Sequence, residues 1–336
     1  LYRSRLDGSG DMQRVTPQEY SGTNSYQVSK DAGWAIHTHA SFTQPPQTRL
    51  VSLPEHKTRQ VVEDNQELID RMSNVSRGDH EFFQVKARDG LVLDGFIMRP
   101  PNFDPGRKYP IINYVYGEPW GQTARDNWTG ARHVWHMLMT QQGFIVATVD
   151  NRGSRAPRGR AWRRSLYGAV GVLGSRDQSD ALKAMCERWD YIDSDRVAIW
   201  GHSGGGSMTL NMMFRYPQQY HVGISRAPVT DQRLYDSIYQ ERYSGLLEDH
   251  EDGYREGSPI NFASQLEGKL LLIHGTGDDN VHYQGSERLI NELVKHNKQF
   301  SFMAYPNRSH SIKEGEGTQL HLHTLMTEYY EEHLNN

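Results

Sequence analysis

Cysteine occurs once in the chain, at Cys186. One thiol cannot close a disulfide within the chain, which excludes the small secreted scaffolds that depend on such bridges. Cys186 falls in a helical stretch and reads as an inert core residue. Long apolar runs are missing as well. None exceeds the length of a β-strand, so no segment reads as a membrane span. Charge of one sign never accumulates: 37 Lys and Arg are dispersed among 41 Asp and Glu, for a net charge of −4. Nucleic acid and anionic lipid therefore find no polybasic face, and neither is expected as a partner. The 16 histidines, His321 and His323 included, lack metal-ligand spacing with supporting Glu or Cys. The acidic stretch 248–252 lacks the calcium-loop pattern and reads as a solvated loop. No metal and no cofactor are expected. Leu1 is not preceded by a methionine or a signal sequence, as in a processed chain or a piece of a longer one. That leaves the compartment open, with a periplasmic or secreted location favoured over a cytoplasmic one.

What is present is a chain of 336 residues, 36% hydrophobic, enough for one large α/β domain and a smaller unit. Residues 1–63 read as short antiparallel strands at 1–5, 12–15, 25–29, 34–40, 48–53 and 58–62, with turns such as Asp7-Gly8-Ser9-Gly10 and Pro45-Pro46 between them. They amount to about one and a half four-stranded blades of a β-propeller. An acidic helix at 64–72 opens a connector, 64–80. A hairpin follows, 82–87 and 91–98, closed at Asp89-Gly90. Strands at 109–116, 144–149, 196–200, 221–225, 269–274 and 300–305 then alternate with helices at 132–142, 175–188, 204–216, 284–296 and 319–333. That alternation predicts an α/β class domain over 81–336, with a mostly parallel, doubly wound sheet covered on both faces. Reactive groups gather at the carboxyl ends of such strands.

Gly201-His202-Ser203-Gly204-Gly205 follows one of these strands and opens one of these helices. It fits Gly-x-Ser-x-Gly, the sharp turn that lifts a nucleophilic serine above the sheet in α/β-hydrolases. A serine hydroxyl needs a base to take its proton, and the base needs an anion to hold its tautomer. In this fold the order is Ser, then Asp or Glu, then His. Two later loops end strands suitably, His274-Gly275-Thr276-Gly277-Asp278-Asp279-Asn280 and Asn307-Arg308-Ser309-His310. His310 is the candidate base and Asp278 the candidate acid, with the adjacent Asp279 undistinguished from it by pattern. His202 is a decoy, since a residue directly before the serine faces away from its oxygen. The oxyanion of acyl transfer also needs donors. The Gly204 N–H supplies one. No His-Gly-Gly-Gly loop exists to supply another, but Tyr116 ends the strand at 109–116.

With these residues assembled, the chain resembles the prolyl oligopeptidase family of serine peptidases, bacterial type, in its dipeptidyl peptidase IV branch, along essentially its whole length. The motifs are Val115-Tyr116-Gly117-Glu118-Pro119, Asp150-Asn151-Arg152-Gly153, residues 201–205, Tyr235-Asp236-Ser237-Ile238-Tyr239 with Glu241-Arg242-Tyr243, and residues 274–282. The resemblance implies an α/β-hydrolase fold preceded by the end of a β-propeller, and a triad of Ser203, Asp278 and His310. It implies Tyr116 as the second oxyanion donor, and Val229, Tyr235, Tyr239 and Val281 as walls of the pocket for the residue before the scissile bond. Asn280 would hold the preceding carbonyl. The implied activity is release of N-terminal dipeptides, Xaa-Pro or Xaa-Ala preferred, from peptide substrates by a homodimer with 318–336 at its contact. The implied alternatives are an acylaminoacyl peptidase or oligopeptidase of the same family, or a non-catalytic binding relative. Several positions depart from the family pattern. His202 and Gly204 replace tryptophan and tyrosine beside the nucleophile, Gln232 replaces a pocket tryptophan, Glu118 replaces a small residue, and Ser311 replaces glycine. The acidic pair that captures the substrate amine in this family belongs to an earlier part of the propeller.

Overall fold

The computed structural model describes residues 1–334, which divide into two compact units. The first comprises Leu1–Arg77 and Arg125–Met137, the second Gly78–Ala124 and the chain from Leu138 onward.

In the first unit β1 (Tyr2–Arg3) pairs with β2 (Gln13–Arg14). An antiparallel meander of β3 (Thr23–Val28), β4 (Trp34–Ala40), β5 (Gln47–Ser52) and β6 (Lys57–Glu63) forms a four-stranded sheet. This is the size of one propeller blade and part of another. Along β4 the period-two alternation buries Ala35, His37 and His39 and exposes Trp34 and Ile36. The buried face is aromatic and polar, with Tyr26 stacked on His37 at a centroid distance of 4.5 Å. Burial, then the neighbouring His56 and His39, push His37 down to about 4, so it is neutral at pH 7. Helix α1 (Gln66–Ser73) follows. The segment Arg125–Met137 joins this unit through Asp126, whose carboxylate accepts from the Phe42 N–H at 2.6 Å and whose carbonyl accepts from Thr23 Oγ1 at 2.8 Å.

The second unit is built on an eight-stranded sheet. Its strands are β7 (His80–Lys86), β8 (Val92–Met98), β9 (Tyr109–Tyr114), β10 (Ile145–Asp150), β11 (Ile192–His202), β12 (Val222–Arg226), β13 (Lys269–Gly275) and β14 (Ser301–Tyr305), in the order β14-β13-β12-β11-β9-β10-β8-β7. From β9 to β14 all neighbours are parallel; β8 alone runs against the rest, pairing antiparallel with both β10 and β7. This is the mixed, mostly parallel sheet of an α/β-hydrolase. After α1 the helices are α2 (Ala131–Gln141), α3 (Gly159–Arg164), α4 (Leu173–Arg188), α5 (Gly204–Arg215), α6 (Ser237–Ser244), α7 (Glu251–Gly257), α8 (Gln284–Lys295) and α9 (Thr318–Leu334). Ile111, Ile145, Ile199 and Leu272 of the sheet are fully buried with Met212 and Phe214 of α5 and Leu289 of α8. Side chains of this kind contribute about 1.5–3 kcal/mol each on burial. The chain reverses direction across the sheet at β9, with β10 on one side of it and β11 on the other. Ligands of open α/β sheets bind at such switch points.

The periodicity of the sequence does not reveal the short helices α3, α6 and α7. The stretch 248–252, read as a solvated loop, contains the start of α7 at Glu251. The thiol of Cys186 on α4 is partly buried, and burial pushes it up to about 11.

Asp150-Asn151-Arg152-Gly153 ties the loop after β9 to α4. Asp150 accepts from the Thr123 N–H at 2.7 Å and the Ala124 N–H at 3.1 Å, and Asn151 Nδ2 donates to the Gly117 carbonyl at 2.9 Å. Arg152 donates through Nε and a terminal nitrogen to Asp177 of α4, each at 2.8 Å, while Asp177 is fully buried. Removing one partner of a buried pair leaves the other charge uncompensated. Asp177→Ala is therefore expected to cost about 3 kcal/mol, the low end for such a loss, because Asp89 still faces the guanidinium at 2.6 Å. A urea midpoint within experimental error of wild type, at unchanged slope, would contradict this.

Candidate active site

Ser203 stands between β11 and α5 with φ 60 and ψ −125. A non-glycine residue held at positive φ is strained, and such strain persists only where the surroundings enforce it. The flanking glycines allow the turn. A side chain at Gly205 would put its Cβ 2.2 Å from the Val115 carbonyl oxygen, and one at Gly201 would lie 2.2 Å from the Gly205 carbonyl oxygen. The serine backbone is pinned by its N–H to the Arg226 carbonyl at 2.9 Å and by its carbonyl to the Ser207 N–H at 3.0 Å. Gly204 opens α5, so its N–H lies at the positive end of the helix dipole.

Asp278 sits in the loop after β13 and His310 in the loop after β14. Asp278 Oδ2 and His310 Nδ1 are 2.7 Å apart. The other carboxylate oxygen accepts from the N–H groups of Asn280 at 3.0 Å and Val281 at 2.9 Å. Burial alone would raise the Asp278 carboxyl; the hydrogen bonds from His274, His310 and the backbone outweigh it and hold the group well below the usual carboxylate range. An ionised carboxylate only accepts, so the shared proton is on His310 Nδ1 and the Nε2 lone pair is free to take another. Asp279 is exposed and makes no such bond among the described residues. Ser203 and His310 share no hydrogen bond among the described residues. Contacts of that kind are commonly long until substrate compresses the site.

Two neighbours of this pair were not assigned from sequence. His274, buried at the end of β13, has Nε2 within 3.1 Å of Asp278 Oδ2 and 2.9 Å of the Val281 carbonyl. Both are acceptors, so Nε2 carries the proton and Nδ1 accepts from Ser286 Oγ at 2.7 Å. His274 thus braces the carboxylate. His202, which sequence reasoning turned away from the serine, stacks obliquely on His310 with centroids 4.6 Å apart. Burial, then Arg226 and His310, push His202 well below the usual histidine range, so it is a neutral wall beside His310.

The remaining residues lie in the loops that follow β9, β12 and β13, except Tyr239, which lies in the first turn of α6. β9 ends at Tyr114, so Tyr116 belongs to the loop beyond it. Burial, then the nearby Glu118, push the Tyr116 hydroxyl far above its ordinary value, so it keeps its proton as a donor. Its ring rests on Gly121, where an added Cβ would lie 2.1 Å from Cδ1. Asp236 caps α6 by accepting the Tyr239 N–H at 2.8 Å. Tyr235 and Tyr239 meet edge to face at 5.4 Å, and Tyr235 donates to Asn280 Oδ1 at 3.0 Å. That bond occupies the Asn280 carbonyl oxygen, so the amide nitrogen is the side chain's donor. Val229 and Val281 are buried. Among the described residues no group of three or more His, Cys, Asp or Glu could hold a metal ion, and no helix is long and apolar enough to cross a membrane.

Residues 132–336 match the family model described as the prolyl oligopeptidase family. The chain belongs to that family. Among prolyl oligopeptidase relatives, probable dipeptidyl-aminopeptidase B of Uncinocarpus reesii is 34% identical over 317 residues, 93% of this chain and 34% of that protein. Dipeptidyl peptidase 8 of Mus musculus is 30% identical over 334 residues, 96% of this chain and 37% of that protein. The crystal structure of Porphyromonas gingivalis dipeptidyl peptidase 4 superposes with a TM-score of 0.92 at 33% identity, covering 99% of this chain and 46% of that one. The chain spans about a third of the length of the curated relatives it matches.

Gly121 offers a test of how tightly Tyr116 is held. Gly121→Ala is expected to displace the ring and lower turnover roughly 10- to 100-fold, as small misplacements of catalytic groups do. Circular dichroism should be unchanged. Wild-type turnover in this variant would show that the ring position is not critical.

Proposed function

We propose that the protein is a serine exopeptidase that releases dipeptides from peptide amino termini through an acyl-enzyme. Support comes chiefly from the strained Ser203 together with the 2.7 Å bond between Asp278 and His310, three groups at the ends of β11, β13 and β14. Ser203 Oγ attacks the scissile carbonyl while His310 Nε2 takes its proton. The oxyanion accepts from the Gly204 N–H and the Tyr116 hydroxyl. His310 then returns the proton to the leaving amine, and the C–N bond breaks to leave an ester on Ser203. Water, deprotonated by His310, attacks that ester and frees the dipeptide. Asp278 stays ionised throughout and stabilises the imidazolium. Val229, Tyr235, Tyr239 and Val281 enclose the residue before the scissile bond, and the Asn280 amide donates to the preceding carbonyl.

In this reading residues 1–63 complete a propeller, 64–80 connect, and 81–336 are the peptidase domain. Substrate-amine recognition is assigned to an earlier part of the propeller, since Asp7, Asp11, Glu19, Asp31 and Glu55 are scattered and the adjacent pair Glu63 and Asp64 stands only where β6 passes into the connector. The protein acts on peptides as a homodimer, with α9 at the two-fold contact; of the segment 318–336, residues 335 and 336 lie outside the described residues. Light scattering that found only monomer at micromolar concentration would remove the dimer.

The deciding experiment compares free and N-acetylated dipeptidyl amides with the full-length protein, after labelling by a fluorophosphonate has been shown to need Ser203. A charge-assisted contact to the ammonium group predicts faster cleavage of the free amine by roughly 10- to 150-fold. Preference for the acetylated substrate would instead make the protein an acylaminoacyl peptidase. Absence of labelling would make it a non-catalytic relative.

A further inference from the structure

Glu118 is a carboxyl group that the proposed reaction does not use. It follows Tyr116 in the loop after β9 and is only 5% exposed. Its Oε2 accepts from the Tyr239 hydroxyl at 3.1 Å, and the Gln232 amide also hydrogen-bonds the carboxyl. Gln232 is itself oriented: its carbonyl oxygen accepts from Gln240 Nε2 at 2.5 Å, so its NH₂ group is the donor side, reaching the Gly257 carbonyl at 3.4 Å and favouring the charged form of Glu118. Oε1 has no partner and is shielded from solvent. No lysine or arginine pairs with the group among the described residues. Burial pushes the carboxyl up to about 7, although the bonds from Tyr239 and Gln232 act in the opposite sense.

The location is as informative as the lack of a partner. A Cβ added to Gly204 would lie 2.8 Å from Glu118 Oε2 and 2.9 Å from its Cδ. The carboxyl therefore fills the space that a side chain at 204 would need, directly beside the Ser203–Gly204 peptide. Glycine at 204, glutamine at 232 and glutamate at 118 form one arrangement, in which the space left by glycine admits a carboxyl group that the Gln232 amide and the Tyr239 hydroxyl face. A buried carboxyl with a free acceptor is costly unless something supplies a donor or a cation.

We propose that Glu118 is a specificity-determining residue, and that its carboxylate receives a basic side chain, lysine or arginine, on the substrate residue preceding the scissile bond, in preference to proline. This rests on the reading of Ser203 as nucleophile and of Tyr239 as a wall of the adjoining pocket. The substrate cation completes the hydrogen bonding of Oε1 and compensates the buried charge. Proline has neither a donor nor a charge and leaves that oxygen orphaned. Pockets that hold a buried polar group discriminate strongly against substrates that fail to pair with it.

The test uses the full-length protein and dipeptidyl amides that share one amino-terminal residue and carry Lys, Arg, Ala or Pro next to the amide. Wild type should favour Lys or Arg over Pro in kcat/KM by about 10-fold or more, and Glu118→Gln should lower that ratio about 10- to 100-fold. Glu118→Gly, which removes the carboxyl while the Tyr239 hydroxyl keeps the Pro119 carbonyl and Gln232 the Gly257 carbonyl as acceptors, should lower the ratio likewise and guards against misfolding of the glutamine variant. A wild-type enzyme whose Ser203-dependent cleavage favours Pro would overturn this assignment and leave the proposed function standing. So would Glu118 variants that slow all four substrates equally, the signature of a structural role. No Ser203-dependent release of any of the four dipeptides would overturn both.

Discussion

Ser203→Ala, or His310→Ala, in the full-length protein is expected to lower turnover of a chromogenic dipeptide amide by roughly 10⁴–10⁶-fold, and the double variant should be hardly slower than either. The reason is that in the proposed reaction the groups work as one device. Without His310 the serine proton has no acceptor, and without the serine the histidine activates nothing. Asp278→Asn should approach the same loss. The Asp278–His310 bond holds the proton on Nδ1, and an amide in its place would stabilise the wrong tautomer. His202→Ala should be far milder, because His202 packs against the base without carrying charge. Retention of a tenth of wild-type turnover by Ser203→Ala or His310→Ala would refute the assignment.

Tyr116→Phe is expected to reduce turnover by roughly 10²–10³-fold with substrate binding nearly unchanged, since a donor aimed at the oxyanion acts chiefly in the transition state. Burial keeps the Tyr116 hydroxyl protonated, so it donates at every pH where His310 can act as a base. Gly121 beneath its ring, and Asn151 holding the Gly117 carbonyl, keep it in place. A variant with normal kcat and a raised KM would assign Tyr116 to substrate binding instead.

Much of this molecule is legible locally. Gly201 to Gly205 can be read because strand, turn and helix are contiguous, although the steric demand that excludes a side chain at Gly205 comes from the distant Val115. The alternation of apolar strands with amphipathic helices announces a parallel sheet, since crossover connections leave no other way to bury both faces. Helices such as α3 and α6 escape notice because six or eight residues hold too few turns for a period of 3.6 to register. In α6 the Asp236 cap was the available signal.

From sequence alone come the fold class, the elbow and the order Ser, Asp, His, because each depends on neighbours along the chain or on order along it. Other features depend on groups brought together from distant positions, and only the tertiary structure decides them. Asp278 and Asp279 are equivalent as text; the turn that buries one under His310 and exposes the other separates them. The segment Arg125–Met137 joins the blade through Asp126 and Phe42, 84 positions apart, a link that no local pattern carries. Glu118, Gly204, Gln232 and Tyr239 look like four unrelated departures or motif positions until the fold packs them around one buried carboxyl. Local physics writes backbone geometry into sequence, whereas the pairing of buried charges is written only when the chain closes on itself.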